Sequence, residues 1–345
     1  MILNAYAILD LFIVSLRVIL GLLVIWLAGR AWRRRRQARG PEEAGIIEDR
    51  LYLLFMIGTV LLGLSAVSWP LLYLLLHSYV PEWPGVMCVY GVTRIGEGSI
   101  GVSRYLPALL QLLQVGKPIL VFLGGAWFVT YLVDRRAATA PLQGRLLLTL
   151  QLLGLLAVGD AVVEASYLLI PKREETLSVG CCVEAFDSVD RATRLLPRAL
   201  FGANHRSWLI AAYYAVNIGM VAALSICGAT RTIRRGWLGL LLAGALLSLV
   251  INWGFLVEVV APALLRLPEH YCPYDLLDVA PESVLAAAFY LLGCFSVGWA
   301  AWVDGLARTP ETSADVSVFV RKLLSLALLG FLGSVIMMSV ELYLA

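Results

Sequence analysis

Eight times along this 345-residue chain an apolar run recurs that is long enough to cross a bilayer, at 8–29, 51–78, 106–133, 145–170, 207–229, 237–264, 284–304 and 320–344. A membrane-crossing helix needs roughly 20 predominantly apolar residues, because only a helix or a closed barrel satisfies its backbone hydrogen bonds inside hydrocarbon. Apolar residues make up 60% of the chain, charged residues only 15%, and the mean hydropathy is +0.84. Those values exclude an ordinary soluble domain. The expected fold class is all-α, a polytopic helical membrane protein of eight transmembrane helices set in a lipid bilayer. The longest hydrophilic stretch, 171–206, is too short to hold a core of its own. No positively charged n-region precedes the first apolar run, so no cleavable signal peptide is expected.

Basic residues set the expected orientation. The loops after odd-numbered spans, with their flanks, carry sixteen, from Arg30, the Arg33–Arg36 run, Arg39 and Arg50 through to Arg308, Arg321 and Lys322. The short loops on the other side carry three, Arg94, Arg104 and Arg266. Cytoplasmic loops are the ones enriched in Lys and Arg. Both termini are therefore expected outside the cytoplasm, in a bacterial inner membrane. The basic residues gather at helix ends and leave no nucleic-acid footprint.

The two halves repeat their polar punctuation in the same order. Span four begins Leu147-Leu-Thr-Leu-Gln-Leu-Leu-Gly154 and span eight Leu323-Leu-Ser-Leu-Ala-Leu-Leu-Gly330. Asp134 and Asp304 close spans three and seven, each followed by a Thr and a Pro. Pro81-Glu82 precedes Cys88-Val-Tyr90 as Pro268-Glu269 precedes Cys272-Pro-Tyr274. The pattern reads as a parallel tandem duplication of a four-helix unit. Residues 1–170 form the first unit, 171–206 an extracytoplasmic connector, and 207–345 the second unit.

Ionisable residues inside spans mark where chemistry can occur, since each costs about 2.5–3.5 kcal/mol at mid-bilayer on insertion scales. Arg17, Lys117, Asp160, Glu164 and Glu258 all fall in the outer half by this topology, and Asp160 and Glu164 share a helical face. They are expected to line one polar pocket between the repeats. Interhelical pairing that only holds the bundle together is an equal alternative.

Cys227 and Cys294 lie inside spans, whereas Cys88, Cys181, Cys182 and Cys272 fall in outer loops. Disulfides from Cys88 and Cys272 to the 181–182 pair would clamp the connector over both halves. Four outer thiols on a helical bundle are similar in arrangement to the quinone-linked disulfide-forming enzymes and the vitamin K epoxide reductases. That resemblance implies a thiol–disulfide oxidoreductase with quinone as cofactor, although no Cys-x-x-Cys occurs here. The histidines His77, His205 and His270 all map to the outer surface, and with the thiols they suit a metal ion or haem. Gly96-Glu-Gly98-Ser-Ile-Gly101 has dinucleotide-binding spacing but follows no strand, so it reads as a loop. The leading expectation is a transport-type or complex-associated membrane subunit, not itself an ATPase, with other membrane or periplasmic subunits as partners. A redox enzyme and a metal- or haem-handling protein are the alternatives.

Overall fold

The computed structural model describes residues 4–37, 41–83, 86, 88–137, 139–172, 202–230, 235–267 and 270–345. Its elements are helices, with no strand among the described residues. Eight of the helical stretches are long and apolar enough to cross a membrane: Ala5–Arg35, Leu51–Tyr79, Val102–Asp134, Gln143–Leu169, His205–Gly228, Arg235–Leu264, Pro281–Leu306 and Ser313–Leu344. They coincide with the eight apolar runs of the sequence and make the protein a multi-pass membrane protein. The chain divides into two compact units, Met1–Val179 and Gly180–Ala345.

Unit 1 contains α1 (Ala5–Gln37), α2 (Pro41–Tyr79), the short α3 (Val89–Thr93), α4 (Leu106–Asp134) and α5 (Gln143–Leu169). Helix α1 packs on α2 and α5, and α4 packs on α2 and α5, which closes a ring of four long helices. The ring differs from a soluble bundle in that charged residues lie inside it and its outer face is apolar. On α1 the buried positions include Asp10, Val14, Arg17 and Val24, while Ile8, Phe12, Ile19 and Leu22 point outward. Polar residues turned inward and branched aliphatic residues turned outward is the pattern that lipid selects. At the α4–α5 turn, Asp134 Oδ1 accepts the Leu142 backbone N–H at 2.7 Å. An aromatic cluster of Phe55, Trp127 and Tyr131 packs between α2 and α4, and the Trp127 indole donates to the Leu146 carbonyl at 3.0 Å.

Unit 2 contains α6 (His205–Ala229), α7 (Arg235–Phe255), a π turn (Leu256–Val260), α8 (Ala261–Leu264), the short α9 (Leu276–Val279), α10 (Pro281–Leu306) and α11 (Ser313–Leu344). Helix α6 packs on α7 and α11, and α10 packs on α7 and α11. The π turn has a local cause. Pro262 has no N–H to give the carbonyl of Glu258, and its ring clashes with that carbonyl, so the helix widens just before it. Helices α2 and α4, by contrast, run on through Pro70 and Pro118. Asp304, near the end of α10, binds arginine side chains. It accepts from Arg308 Nε at 3.0 Å and pairs with Arg235 Nε at 3.3 Å.

Close helix seams in the two units differ in what lines them. Gly154 on α5 faces α1, where an added Cβ would lie 3.1–3.2 Å from Ile25 and Val24 side chains. Gly330 on α11 faces α10, where an added Cβ would lie 2.7 Å from the Gly293 nitrogen and the Phe289 carbonyl oxygen. Backbone cannot step aside as a side chain can. Gly330→Ala should therefore destabilise the protein by about 1–3 kcal/mol, the usual cost of overpacking. Gly219→Ala, which meets nothing within 4 Å, should be neutral or slightly stabilising. Thermal unfolding in one detergent compares the two, and equal shifts would refute the close α10–α11 approach.

Candidate functional site: a buried charge cluster in unit 1

Four of the five ionisable residues expected to share a site come together inside unit 1. Arg17 sits near the middle of α1, Lys117 on α4 immediately before Pro118, and Asp160 and Glu164 one turn apart on α5. Arg17 Nη1 donates to Glu164 Oε2 at 2.6 Å, and Nη2 donates to Asp160 Oδ2. Lys117 Nζ lies 2.7 Å from Glu164 Oε1 and 3.3 Å from Asp160 Oδ2. Each cation thus touches both carboxylates. The side chains of Arg17, Lys117 and Glu164 are wholly buried, and that of Asp160 is 7% exposed.

Two serines of α2 complete the cluster. Arg17 Nε donates to Ser65 Oγ at 3.3 Å and Lys117 Nζ to Ser68 Oγ at 2.9 Å. The hydroxyls in turn donate to helix carbonyls, Ser65 to Leu61 and Ser68 to Ser65, each at 2.9 Å. All four long helices of the unit therefore contribute. Left unpaired in hydrocarbon, four such charges would cost about 10–14 kcal/mol, as much as the whole stability of a typical domain. Mutual pairing is what makes their burial possible.

A fifth ionisable residue belongs to this site, and the sequence reading passed over it. Asp10 is fully buried and lies within electrostatic reach of Glu164, Lys117, Arg17 and Asp160. Among the described residues neither of its carboxylate oxygens has a hydrogen-bond partner. The signal was present in the sequence: Asp10 precedes Arg17 by seven residues, two helical turns on the same face. Beyond Asp10 the polar core continues toward the ends of α2 and α5. The Tyr79 and Tyr167 hydroxyls are buried without hydrogen-bond partners among the described residues. Lys172 follows them, its ammonium 5.3 Å from the Tyr79 ring centre and 4.7 Å from that of Tyr167, donating to the Tyr167 carbonyl at 3.0 Å.

Glu258 belongs to unit 2. It is buried within the π turn, with Oε2 3.8 Å from Nε2 of His205 at the start of α6. His270, also in unit 2, lies 2.6 Å from Asp275 Oδ2, and Arg206 donates to the Tyr271 hydroxyl at 2.9 Å. His77 belongs to the last turn of α2. Two of the three histidines expected as metal ligands thus face a carboxylate of their own unit. Asn217 and Asn252 pair across α6 and α7 at 3.4 Å.

Cys88 and Cys272 are buried just ahead of α3 and α9, while Cys227 and Cys294 lie within α6 and α10 as expected. No disulfide joins the described cysteines. The bridging partners expected for Cys88 and Cys272, Cys181 and Cys182, lie outside the described residues.

Comparison of the chain with protein-family models, with curated proteins and with solved structures gave no match in any of the three.

Burial pushes the Lys172 ammonium down from 10.5 to about 8. The folded state therefore sheds this proton while the unfolded chain still holds it, so raising the pH from about 8 to 10.5 should add stability. Lys172→Met removes that increment. The check is the difference between wild-type and Lys172→Met melting temperatures across this range. It should grow with pH in favour of the wild type, and parallel curves would contradict the burial of Lys172.

Proposed function

We propose that this chain is a transport-type membrane subunit whose first unit carries an intramembrane proton-handling site. The observation that carries the reading is the group of three carboxylates and two cations, Asp10, Asp160, Glu164, Arg17 and Lys117, buried but for an edge of Asp160 in a bundle whose outer faces are apolar. Ionisable side chains at membrane depth are costly to keep, and they mark ion pathways and proton relays in pumps and transporters. A static bundle of this size needs no charge at all, because small residues and hydroxyls join membrane helices at lower cost.

The orientation proposed follows the basic residues: both termini outside the cytoplasm, with the 79–105, 171–206 and 265–283 segments on that same outer face. The inner membrane of a bacterium is the proposed location. Disulfides from Cys88 and Cys272 to Cys181 and Cys182 would staple those outer segments. A parallel tandem duplication is supported by two long helices, short helical segments and two more long helices following in that order in both units, and by the same ring of helix pairs within each. Any nucleotide-driven step would come from a partner subunit.

The test uses protein reconstituted in liposomes that contain a pH-reporting dye. Under an imposed potassium diffusion potential, or on addition of a solute from a panel of amino acids, sugars, organic anions and metal cations, the wild type should change lumenal pH. Glu164→Gln and Lys117→Met should reduce that change to the level of protein-free liposomes. A wild type indistinguishable from empty liposomes under every condition would overturn the transport reading.

A further inference from the structure

The charges of the unit 1 cluster do not balance. Arg17 and Lys117 each engage both Asp160 and Glu164, so two cations and two carboxylates close into a neutral quartet. Asp10 is the remainder. It has no cation of its own and no hydrogen-bond partner among the described residues, and none of it is exposed. A buried carboxylate left unpaired costs several kcal/mol in its ionised form, and a proton removes that cost where no ligand set for a metal ion converges. The quartet fixes the electrostatic surroundings, and Asp10 alone can change charge without breaking an ion pair.

Its surroundings also supply a way in. The groups facing Asp10 are Arg17 on its own helix, Lys117 on α4, Asp160 and Glu164 on α5, and Tyr79 at the end of α2. The Asn4 amide donates to Ser78 Oγ at 2.8 Å, which ties the start of α1 to the end of α2 beside Tyr79. Glu164 and Tyr167 lie three residues apart on one face of α5, so the buried stripe that holds the quartet continues into the second phenol. Lys172 then covers both phenol rings at the end of the unit. The two hydroxyls have no hydrogen-bond partner among the described residues, so each can rotate between its neighbours and pass a proton by giving up the one it carries and accepting another.

We propose that Asp10 is the proton-carrying group of unit 1, reached from the Lys172 end through the Tyr79 and Tyr167 hydroxyls. In one loading step the Lys172 ammonium releases a proton to the phenol relay, and the relay delivers one to the Asp10 carboxylate. Lys172 is re-protonated from water, so the relay groups end unchanged and Asp10 gains one proton and loses one negative charge. The inference deepens the transport reading and rests on it for the direction of net movement.

The experiment is infrared difference spectroscopy on the wild-type protein in lipid nanodiscs, with isotope-labelled aspartate, as the pH is stepped through neutrality. A protonated-carboxyl band that shifts with the label should appear on acidification and be absent from Asp10→Asn, which mimics the neutral state. Tyr79→Phe and Tyr167→Phe should keep the band but slow its appearance after a pH jump by roughly a hundredfold, the low end of what a positioned proton-transfer group contributes. Lys172→Met should slow it as well. A band that survives in Asp10→Asn, no aspartate band in the wild type, or a band that responds to sodium at fixed pH would each overturn the proposal. The two readings fail separately. An Asp10 band with no liposome flux removes transport and leaves the site, whereas flux without an Asp10-dependent band removes the site and leaves transport.

Discussion

Arg17 is the largest fully buried side chain among the described residues of unit 1, and its guanidinium is buried midway along a helix whose outer face is Ile, Phe and Leu. A guanidinium stays charged at any pH the protein meets, so it cannot escape its desolvation by losing a proton. It has to be met by fixed acceptors, and the fold supplies them from two helices, the carboxylates of α5 and the Ser65 hydroxyl of α2. Once those acceptors are in place they attract Lys117, which brings α4 to the same point. The inward face of every long helix in the unit is thereby fixed. The outward faces then need only be apolar, and they are.

Unit 2 reaches a similar ring of helices by weaker means. Its interhelical polar contacts include the neutral Asn217–Asn252 amide pair, Ser248 with the Tyr290 hydroxyl at 2.7 Å, and the Tyr214 hydroxyl with Ser339 at 3.0 Å, beside the Arg235–Asp304 ion pair near the helix ends and Glu258 facing His205. Bonds of this kind are worth about 0.6–2 kcal/mol in a membrane. The remaining adhesion comes from close packing, with Tyr213 stacked on Phe255 at 3.9 Å and Gly293 against Gly330. If the units descend from one duplicated bundle, as proposed, the shared backbone order outlasted the interactions inside it. One copy then carries charge at its centre and the other carries amides and aromatics.

Much of this was legible in the sequence, for identifiable reasons. Hydrocarbon demands long apolar helices, so the eight spans follow from length and hydropathy with ends shifted by a few residues. Charges at membrane depth are scarce, and Arg17, Lys117, Asp160 and Glu164 stood out for that reason before any contact was known. Glu258 stood out equally, but sequence depth alone does not say which helices pack together, and it meets His205 instead. Asp10 was hidden by its place near the start of α1, where a carboxylate is ordinarily at the interface. Ser65, Ser68, Tyr79 and Tyr167 carry no charge and are common in membrane helices, so only packing reveals them. The π turn was visible as Pro262 but not as a widened turn around Glu258.

The account stands on the claim that the buried charges are tolerated only because they neutralise one another, and a double-mutant cycle on Arg17 and Glu164 tests it directly. Equilibrium unfolding in mixed micelles would compare Arg17→Met, Glu164→Met and the double variant with the wild type. Each single change should destabilise by about 3–5 kcal/mol, because it strands a charge in hydrocarbon, while the double change should recover most of that loss. Single costs that simply add in the double variant would show that the two side chains do not hold each other, and the account would fall with them.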